Sequence, residues 1–382
     1  MSLSRRDLAE LAEWRRALHC RPELSGEEVQ TARAVVEALA ATSADRVIEG
    51  LGGHGVAAVY EGGTPGPTVL FRAELDGLPI EETSDVPHRS LTPGKGHLCG
   101  HDGHMATLAA LARELGRRRP DRGRAVLLFQ PAEETGAGAA AVLADPRFAE
   151  IAPDWAFALH NLPGLPLGQV ALDAGPVNCA SRGMRITLRG KTAHASMPDQ
   201  GTSPMVAVAS LMPALTALGP GGPLSERFAL VTVVHARLGE PAFGVAPGHA
   251  EIWATLRTLT DAGMSELTVR AESLARSRAA EAGLGVAIGY EDVFAHCENH
   301  PDAVAQLRRA LDAEAVPHDR GDLPMRASED FGCFGRNARS AMFFLGAGES
   351  CPSLHNPDYD FPDELIGIGA RVFTRTLRGL LG

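Results

Sequence analysis

Hydrophobic and polar positions alternate along the chain with two different periods, and each period predicts its own kind of structure. Residues 4–18 place Leu11 and Leu18 on one apolar face, which predicts an amphipathic helix. Short apolar runs at 69–74 and 125–129 alternate with further helical patterns and predict buried strands. This alternation of strand and helix indicates an α/β domain, in which helices cover both faces of a mixed, mostly parallel sheet.

A different pattern of apolar and polar positions begins near residue 182. Residues 183–190 alternate strictly between apolar and polar positions, as in a strand with one face in solvent. The order of elements that follows, β-α-β-β-α-β, is typical of ferredoxin-like folds. We therefore predict a larger domain formed by residues 1–180 and 293–382 and an inserted α+β ferredoxin-like domain at residues 181–292.

Composition narrows the classes of function. The chain of 382 residues carries a net charge of −11 and has no sustained lysine and arginine block, which argues against nucleic acid or an anionic membrane as a partner. The N-terminus lacks the apolar core of a signal peptide, and the long weakly polar run at 204–218 is too short to span a membrane. The six cysteines are scattered, which predicts reduced thiols. We expect a cytoplasmic protein.

The stretch from Cys99 to His104 gathers more metal-capable side chains than any other part of the chain. A thiolate at position 99 and the imidazole of His101 can meet one ion if the backbone between them is irregular, which Gly100 permits. We expect Asp102 either to hold the ring of His101 by a hydrogen bond or to cap the helix that follows. Taken alone, the same spacing is also typical of a buried cysteine beside histidines.

Other metal-capable residues follow the predicted strands. They occur at residues 74–76, 133–134 and 160–161, and a further histidine precedes the last helix at 355–356. Because ligands of α/β sheets bind at the carboxyl ends of strands, we expect these segments to converge with Cys99. Cysteine, histidine and carboxylate side chains in one place favour a metal site over separate roles.

Two adjacent carboxylates, Glu133 and Glu134, cannot both face one ion from regular structure. One can bind the ion while the other holds a water molecule, which is what metal-assisted hydrolysis requires. The alternative is two exposed acids in the first turn of a helix. A Gly-x-Gly-x-x-Ala pattern at 136–141 also matches a dinucleotide-binding turn, but the two acids before it would repel a pyrophosphate.

Five motifs, in matching order over nearly the whole chain, resemble the M20 metallopeptidase family and in particular its amidohydrolase branch. They are residues 72–80, 97–104, 129–134, 160–161 and 354–361. The resemblance implies two divalent metal ions, whose ligands would be Cys99, His101, Glu134, His160 and His355. It also implies that Glu133 is the general base and that Asp76 orients one of the ligands.

The inserted domain resembles the family's lid, which is also its dimerisation surface, so a homodimer through this domain is expected. His194 resembles the histidine that reaches the substrate, and its expected role is to stabilise an oxyanion. Arg257 resembles an arginine that faces the substrate carboxylate, although strand arginines are mostly just solvated. Gly244 stands where many relatives have asparagine, which leaves substrate preference open.

The implied function is metal-dependent hydrolysis of N-acetyl, N-benzoyl or aryl-acetyl amino acids to a carboxylic acid and a free amino acid. Thiolate favours zinc, while carboxylates and imidazoles also admit manganese, cobalt or nickel. A dipeptidase, a carboxypeptidase or an aminohydrolase on the same scaffold remains an alternative, as does a silent metal-binding protein. The presence of Glu133 beside a full set of ligands argues against silence, because a scaffold needs no free base.

Overall fold

The computed structural model describes residues 3–382, and the chain divides into two units. The first unit extends to Val177 and includes Cys297–Leu323 and Asp330–Gly382. The second unit comprises Asn178–His296 and Pro324–Glu329. No helix within residues 3–382 is long and apolar enough to cross a membrane.

The strands and helices are numbered in chain order. The strands are β1 (Arg46–Leu51), β2 (Gly55–Glu61), β3 (Thr64–Glu74), β4 (Arg122–Gln130), β5 (Trp155–Leu162), β6 (Val170–Ala171), β7 (Gly175–Asn178), β8 (Ala180–Arg189), β9 (Ala193–His194), β10 (Ala229–Leu238), β11 (Val245–Ala246), β12 (His249–Thr258), β13 (Gly285–Phe294), β14 (Cys297–Asn299), β15 (His318–Asp319) and β16 (Arg339–Gly346). The α-helices are α1 (Arg5–His19), α2 (Val29–Ala40), α3 (His101–Arg117), α4 (Gly138–Ala144), α5 (Met205–Leu218), α6 (Asp261–Glu281), α7 (Pro301–Ala313) and α8 (Glu364–Leu381). Short 3-10 helices occupy Pro146–Glu150, Pro198–Gln200 and Asp330–Arg336.

The first unit is built on an eight-stranded sheet with the order β1-β2-β4-β3-β5-β16-β6-β15. The central pairings β4 with β3, β3 with β5 and β5 with β16 are parallel, whereas β1, β2 and β6 pair with antiparallel neighbours. Apolar side chains of these strands share one core with α1, α3, α7 and α8. The predicted fold class, a mixed and mostly parallel sheet with helices, is confirmed.

The parallel strands β4, β3 and β5 bring three of the predicted segments to one edge of the sheet. β3 ends at Glu74, β4 ends at Gln130 just before the adjacent acids, and His160 lies near the end of β5. Their carboxyl ends are neighbours because the strands are hydrogen-bonded in parallel register. The fold therefore supplies the convergence that the site requires.

The second unit contains a four-stranded antiparallel sheet with the order β10-β12-β8-β13. In chain order its elements are β8, α5, β10, β12, α6 and β13, which is the ferredoxin-like arrangement. Inward-facing residues of β8 and β12, among them Ile186 and Ile252, form a core with both helices. The segment Pro324–Glu329 groups with this unit, where Arg257 Nη1 donates to the Arg326 carbonyl (2.5 Å) and the Ser328 hydroxyl (2.6 Å).

Candidate metal centre

The turn that carries Cys99 and His101 is irregular at Gly100. Gly100 adopts the left-handed conformation (φ 91°) and α3 begins at the next residue. This φ favours glycine, and a Cβ at this position would also collide with the side chain of Asn161. The turn leaves the buried Cys99 Sγ 3.5 Å from His160 Nε2. The sulfur of Cys99 and the imidazole of His160 therefore face one another.

The ring of His101 is fixed through one nitrogen and offers the other. Nδ1 lies 2.9 Å from the carbonyl oxygen of Asp76 and 3.4 Å from its carboxylate. Nε2 is buried without a hydrogen-bond partner within residues 3–382, and it lies 3.9 Å from one oxygen each of Glu133 and Glu134. A buried imidazole nitrogen that faces carboxylates and lacks a donor or acceptor partner is what a metal ligand presents in the absence of its ion.

Glu134 connects this group to the last predicted ligand. His355 Nε2 lies 3.6 Å from Glu134 Oε2, and Glu134 Oε1 has no hydrogen-bond partner within the described residues. Within each of three overlapping groups, every ligand atom lies within 4.8 Å of the others: Cys99, His101 and His160; Cys99, Glu134 and His355; His101, Glu133 and Glu134. All five predicted ligands and the predicted base thus lie together in the first unit.

The electrostatics of the cluster favour a cation. Burial of Glu134 raises its pKa. Burial would also raise the pKa of Asp76, but its hydrogen bond and charge interaction with His101 lower it. Burial disfavours charge on His101, yet Asp76 and the charge of Glu134 raise its pKa. The charges of Asp76 and Glu134 therefore favour positive charge at the His101 ring, which is the sign of charge that a metal ion would bring there.

Asp76 joins two of the ligand segments. Its Oδ2 accepts hydrogen bonds from the Ser25 hydroxyl (2.7 Å) and from the backbone N–H of Glu134 (3.0 Å), while its Oδ1 faces His101. One carboxylate therefore contacts the His101 ring and the backbone of Glu134. A carboxylate with these two contacts can orient the His101 ring relative to Glu134.

Two residues of the site have unusual backbone conformations. Ala132, directly before the adjacent acids, has φ 50°, and His355 has φ 65°. Residues with side chains rarely adopt this left-handed region, and the strain it carries is concentrated at functional sites. The Ala132 N–H donates to Glu28 Oε1 (2.8 Å), which helps to hold this turn.

Both roles expected for Asp102 are wrong. Helix α3 begins at His101, and Asp102 accepts hydrogen bonds from His19 Nδ1 (2.8 Å) and Arg15 Nη1 (3.2 Å) on α1 instead of holding the His101 ring. Although burial opposes its charge, these two cations hold the pKa of Asp102 far below its usual range. Burial likewise opposes charge on His19, but Asp102 raises the pKa of His19 to about 10. Asp102 therefore ties α3 to α1 through buried ion pairs.

His194 and Arg257 belong to the second unit. His194 lies on β9, which pairs with β11, and its exposed ring accepts or donates a 2.7 Å hydrogen bond between Nδ1 and the Ser196 hydroxyl. A Cβ at Gly244, the residue before β11, would meet only open space. Arg257 is half-buried, and burial lowers its pKa.

Three buried residues beside the ligands, Glu74, His104 and Asn161, were not among the site residues predicted from the sequence. His104 Nδ1 lies 2.6 Å from Glu74 Oε2, and His104 Nε2 lies 2.6 Å from Asn161 Oδ1. Both ring nitrogens of His104 are therefore engaged away from the centre. The signal in the sequence was position alone, because His104 and Asn161 stand inside two of the motifs.

The sequence was compared with known families and relatives. Residues 70–379 match the family described as peptidase family M20/M25/M40. The N-acetyldiaminopimelate deacetylase of Enterococcus faecalis (strain ATCC 700802 / V583) is 30% identical over 380 residues, covering 97% of this chain and 98% of that protein. The N-acetylcysteine deacetylase of Bacillus subtilis (strain 168) is 26% identical over 367 residues, covering 95% of this chain and 94% of that protein.

The fold was compared with solved structures. A dinuclear metal-binding peptidase of the M20 family from Bacillus subtilis superposes with a TM-score of 0.82 at 24% identity. The superposition covers 99% of this chain and 99% of that one. The two proteins therefore share their fold over their full described lengths.

Proposed function

The chain belongs to peptidase family M20/M25/M40 and is a hydrolytic enzyme that acts on amides, and from this premise we propose that it hydrolyses N-acyl amino acids with the help of two divalent metal ions. One observation carries the proposal. It is the cluster in which Glu133 and Glu134 lie 3.9 Å from His101 Nε2, which has no hydrogen-bond partner among residues 3–382. Adjacent carboxylates in this position can divide the work of binding an ion and moving a proton.

The residues that would hold the ions are Cys99, His101, Glu134, His160 and His355. Their donors suit the group, since thiolate and imidazole are ligands for zinc and imidazole and carboxylate also accept manganese, cobalt or nickel. When bound, such ions polarise a carbonyl group and acidify water. The similarity to the dinuclear metal-binding peptidase from Bacillus subtilis supports two ions in this site.

Glu133 is the proposed general base. Its side chain is buried and its Oε2 lies 3.9 Å from His101 Nε2, which places it at the edge of the ligand cluster. Glu133 takes a proton from a water molecule whose oxygen attacks the acyl carbonyl carbon. When the carbon–nitrogen bond breaks, Glu133 passes that proton to the leaving amine, so a carboxylic acid and a free amino acid result.

His194 and Arg257 are the proposed substrate contacts. The Nδ1 of His194 is held by Ser196, which leaves Nε2 to donate to the oxyanion of the tetrahedral intermediate. Arg257 would pair with the substrate carboxylate. The relatives named for N-acetyldiaminopimelate and N-acetylcysteine deacetylation support an acetyl group as the acyl part.

We also propose that the protein is a cytoplasmic homodimer joined through the second unit. β10 is an edge strand of its sheet, and Val234 and Leu238 on it are exposed, as are Met205 and Val206 on α5. Exposed apolar edge strands favour pairing with a second copy. Light scattering of the protein and of its Val234→Glu variant tests the dimer. The six free cysteines support a reducing compartment, which cell fractionation tests.

The decisive experiment is hydrolysis of a substrate panel by protein stripped of metal and then supplied with zinc, manganese, cobalt or nickel. The panel contains N-acetyl, N-benzoyl and indole-acetyl amino acids, the carboxamides of the same compounds, and plain dipeptides. We expect metal-dependent release of the amino acid from the acylated substrates, and slower release from the carboxamides because they lack the charge that Arg257 would bind.

Each other outcome has a definite meaning. Cleavage of dipeptides alone would replace the proposal with a peptidase. An absence of hydrolysis with every metal and every substrate would overturn the proposed reaction. Equal rates for acids and carboxamides would remove Arg257 from the proposal and leave the reaction in place.

A further inference from the structure

Asn161 lies directly behind the metal centre and makes more connections there than its position beside His160 requires. Its side chain is fully buried. Its Oδ1 lies 2.6 Å from His104 Nε2, and its Nδ2 donates to the Tyr359 hydroxyl (2.5 Å). Its backbone carbonyl lies 2.8 Å from His160 Nδ1, so the same residue fixes the ring of a proposed ligand and leaves Nε2 of that ring to face Cys99.

The side chain of Asn161 also packs against the turn between two other ligands. The Cβ that Gly100 lacks would fall on the Asn161 amide, so the two residues are in direct contact. Gly100 is the left-handed residue that separates Cys99 from His101. The shape of this turn, and with it the distance between thiolate and imidazole, is therefore set against the asparagine side chain.

His104 completes the arrangement between the two ligand rings. Its ring centroid lies 4.8 Å from that of His160, edge to face, and 5.6 Å from that of His101. Its Nδ1 is held by Glu74 at 2.6 Å, and Glu74 in turn accepts a hydrogen bond from the buried Arg72. The ring cannot rotate without breaking a hydrogen bond at each nitrogen.

We propose that Asn161, His104 and Glu74, here called the brace, are positioning residues that hold Cys99, His101 and His160 at the spacing needed to bind metal. The inference rests on the proposed metal centre. The brace is buried and bonded to itself, so its side chains act on the ligands and not on the substrate. It follows that loss of the brace weakens metal binding while substrate recognition is preserved.

The test is cobalt binding by the full-length Asn161→Ala variant. Metal-free protein is titrated with cobalt(II) in competition with a chromophoric chelator, and the near-ultraviolet absorption of the cobalt–thiolate bond reports on Cys99. We expect cobalt affinity to fall about 10–100-fold, the usual cost of removing a group that supports a metal ligand, with a weaker or shifted thiolate band. At saturating cobalt the KM for an N-acetyl amino acid should stay within about twofold of the original value, as expected for a group that does not touch substrate.

A matched control separates positioning from general stability. Asn299 is equally buried in the first unit and bonds to the backbone of Asp173 and Met342, and none of its hydrogen bonds within residues 3–382 reaches a proposed ligand. Asn299→Ala removes comparable hydrogen bonds and should leave cobalt affinity and the thiolate band unchanged. If both alanine variants lose cobalt equally, the brace has no special role.

A conservative variant keeps the test valid should Asn161→Ala fail to fold. In Asn161→Asp the side chain keeps its shape and can accept hydrogen bonds from both His104 and Tyr359, so the thiolate band should match that of the unsubstituted protein. A band altered as much as in the alanine variant would overturn the inference. If the unsubstituted protein itself gives no thiolate band with cobalt, the proposed metal centre fails, which is a different result from an unaffected Asn161→Ala.

Discussion

The candidate residues of the two units differ in how firmly the protein holds them. In the first unit, the ligand cluster lies at the ends of parallel strands, and His101 and His160 each have one ring nitrogen tied to a backbone carbonyl. In the second unit, His194 is exposed on a two-stranded sheet, and its ring is held through Nδ1 alone, by the hydroxyl and the backbone N–H of Ser196. Under the proposed function, the first arrangement would be preorganised for a metal ion, and the second would adapt to a substrate.

This difference indicates that the two units carry different parts of the proposed reaction, metal binding in the first and substrate contact in the second. Metal binding needs several donor atoms held within a fraction of an ångström of their required positions. A buried network on rigid strands holds them there. Contact with a variable substrate tolerates, and benefits from, a mobile polar group. Substitutions in the ligand cluster of the first unit should therefore change metal content or chemistry, and the substitution of His194 in the second unit should change rate without changing metal content.

The largest expected effect comes from Glu133→Gln, compared with Glu134→Gln. Removing the base should lower kcat by about 10³-fold while metal stays bound, because general-base catalysis contributes about 10²–10⁴-fold. The same change at Glu134 removes a ligand and should weaken metal binding by more than the roughly 10–100-fold typical of groups that only support ligands. Turnover and metal content of the two variants are measured side by side.

Each variant is the control for the other, because both remove one negative charge by the same substitution at neighbouring positions. Near-normal turnover in Glu133→Gln would remove it from the mechanism. Loss of metal in Glu133→Gln with retention in Glu134→Gln would exchange the two assignments.

Much of the fold follows from the sequence because local patterns determine it. The apolar runs that predict strands at 69–74 and 125–129 lie within β3 and β4, and the predicted helix at 4–18 is α1 (Arg5–His19). β3 nevertheless starts five residues before its apolar run, at Thr64, where register shifts through a proline- and glycine-rich stretch. Pairing with β4 holds this stretch in the sheet, and nothing in its own composition predicts a strand.

The site is less completely predictable, since its supporting contacts depend on residues distant in sequence. The partners of Asp102 are His19 and Arg15, more than 80 residues earlier, and no spacing rule indicates them. In the same way, Asn161 contacts His104 across 57 residues. Motifs show which residues gather at strand ends, whereas tertiary packing decides which of them bind and which support.

The second prediction concerns His194 on the two-stranded sheet of the second unit. His194→Ala should lower kcat by about 10²-fold, the lower range for loss of one oxyanion donor, with unchanged metal content. His249→Ala, an exposed histidine on β12 of the same unit, is the matched control and should behave as the unsubstituted enzyme. Steady-state kinetics at saturating metal measure both variants. A shared loss would point to the unit's stability, and no loss in either would remove His194 from the mechanism.

The smallest expected effects concern the N-terminal turns of two helices, α1 in the first unit and α6 in the second. Asp7 of α1 accepts hydrogen bonds from Ser4 (2.6 Å) and Arg117 (2.5 Å), and the bond from Arg117 is the main reason that its pKa is lowered. Asp7→Asn should cost about 2 kcal/mol at pH 7, as for a hydrogen bond to a charged group. Thr260 caps α6, because its hydroxyl accepts a hydrogen bond from the Gly263 N–H (3.2 Å). Thr260→Ala should lower the free energy of unfolding by about 1 kcal/mol.

The two costs should respond differently to acid. Because the folded pKa of Asp7 lies below its unfolded value of about 3.9, its charge stabilises the protein above that pH and loses this effect as the pH falls toward the folded pKa. Urea unfolding at pH 7 and at about pH 3 should show the Asp7→Asn cost shrinking on acidification, while the Thr260→Ala cost stays constant because threonine does not titrate. A cost for Asp7→Asn that is the same at both pH values would mean that the charge of Asp7 does not stabilise the protein.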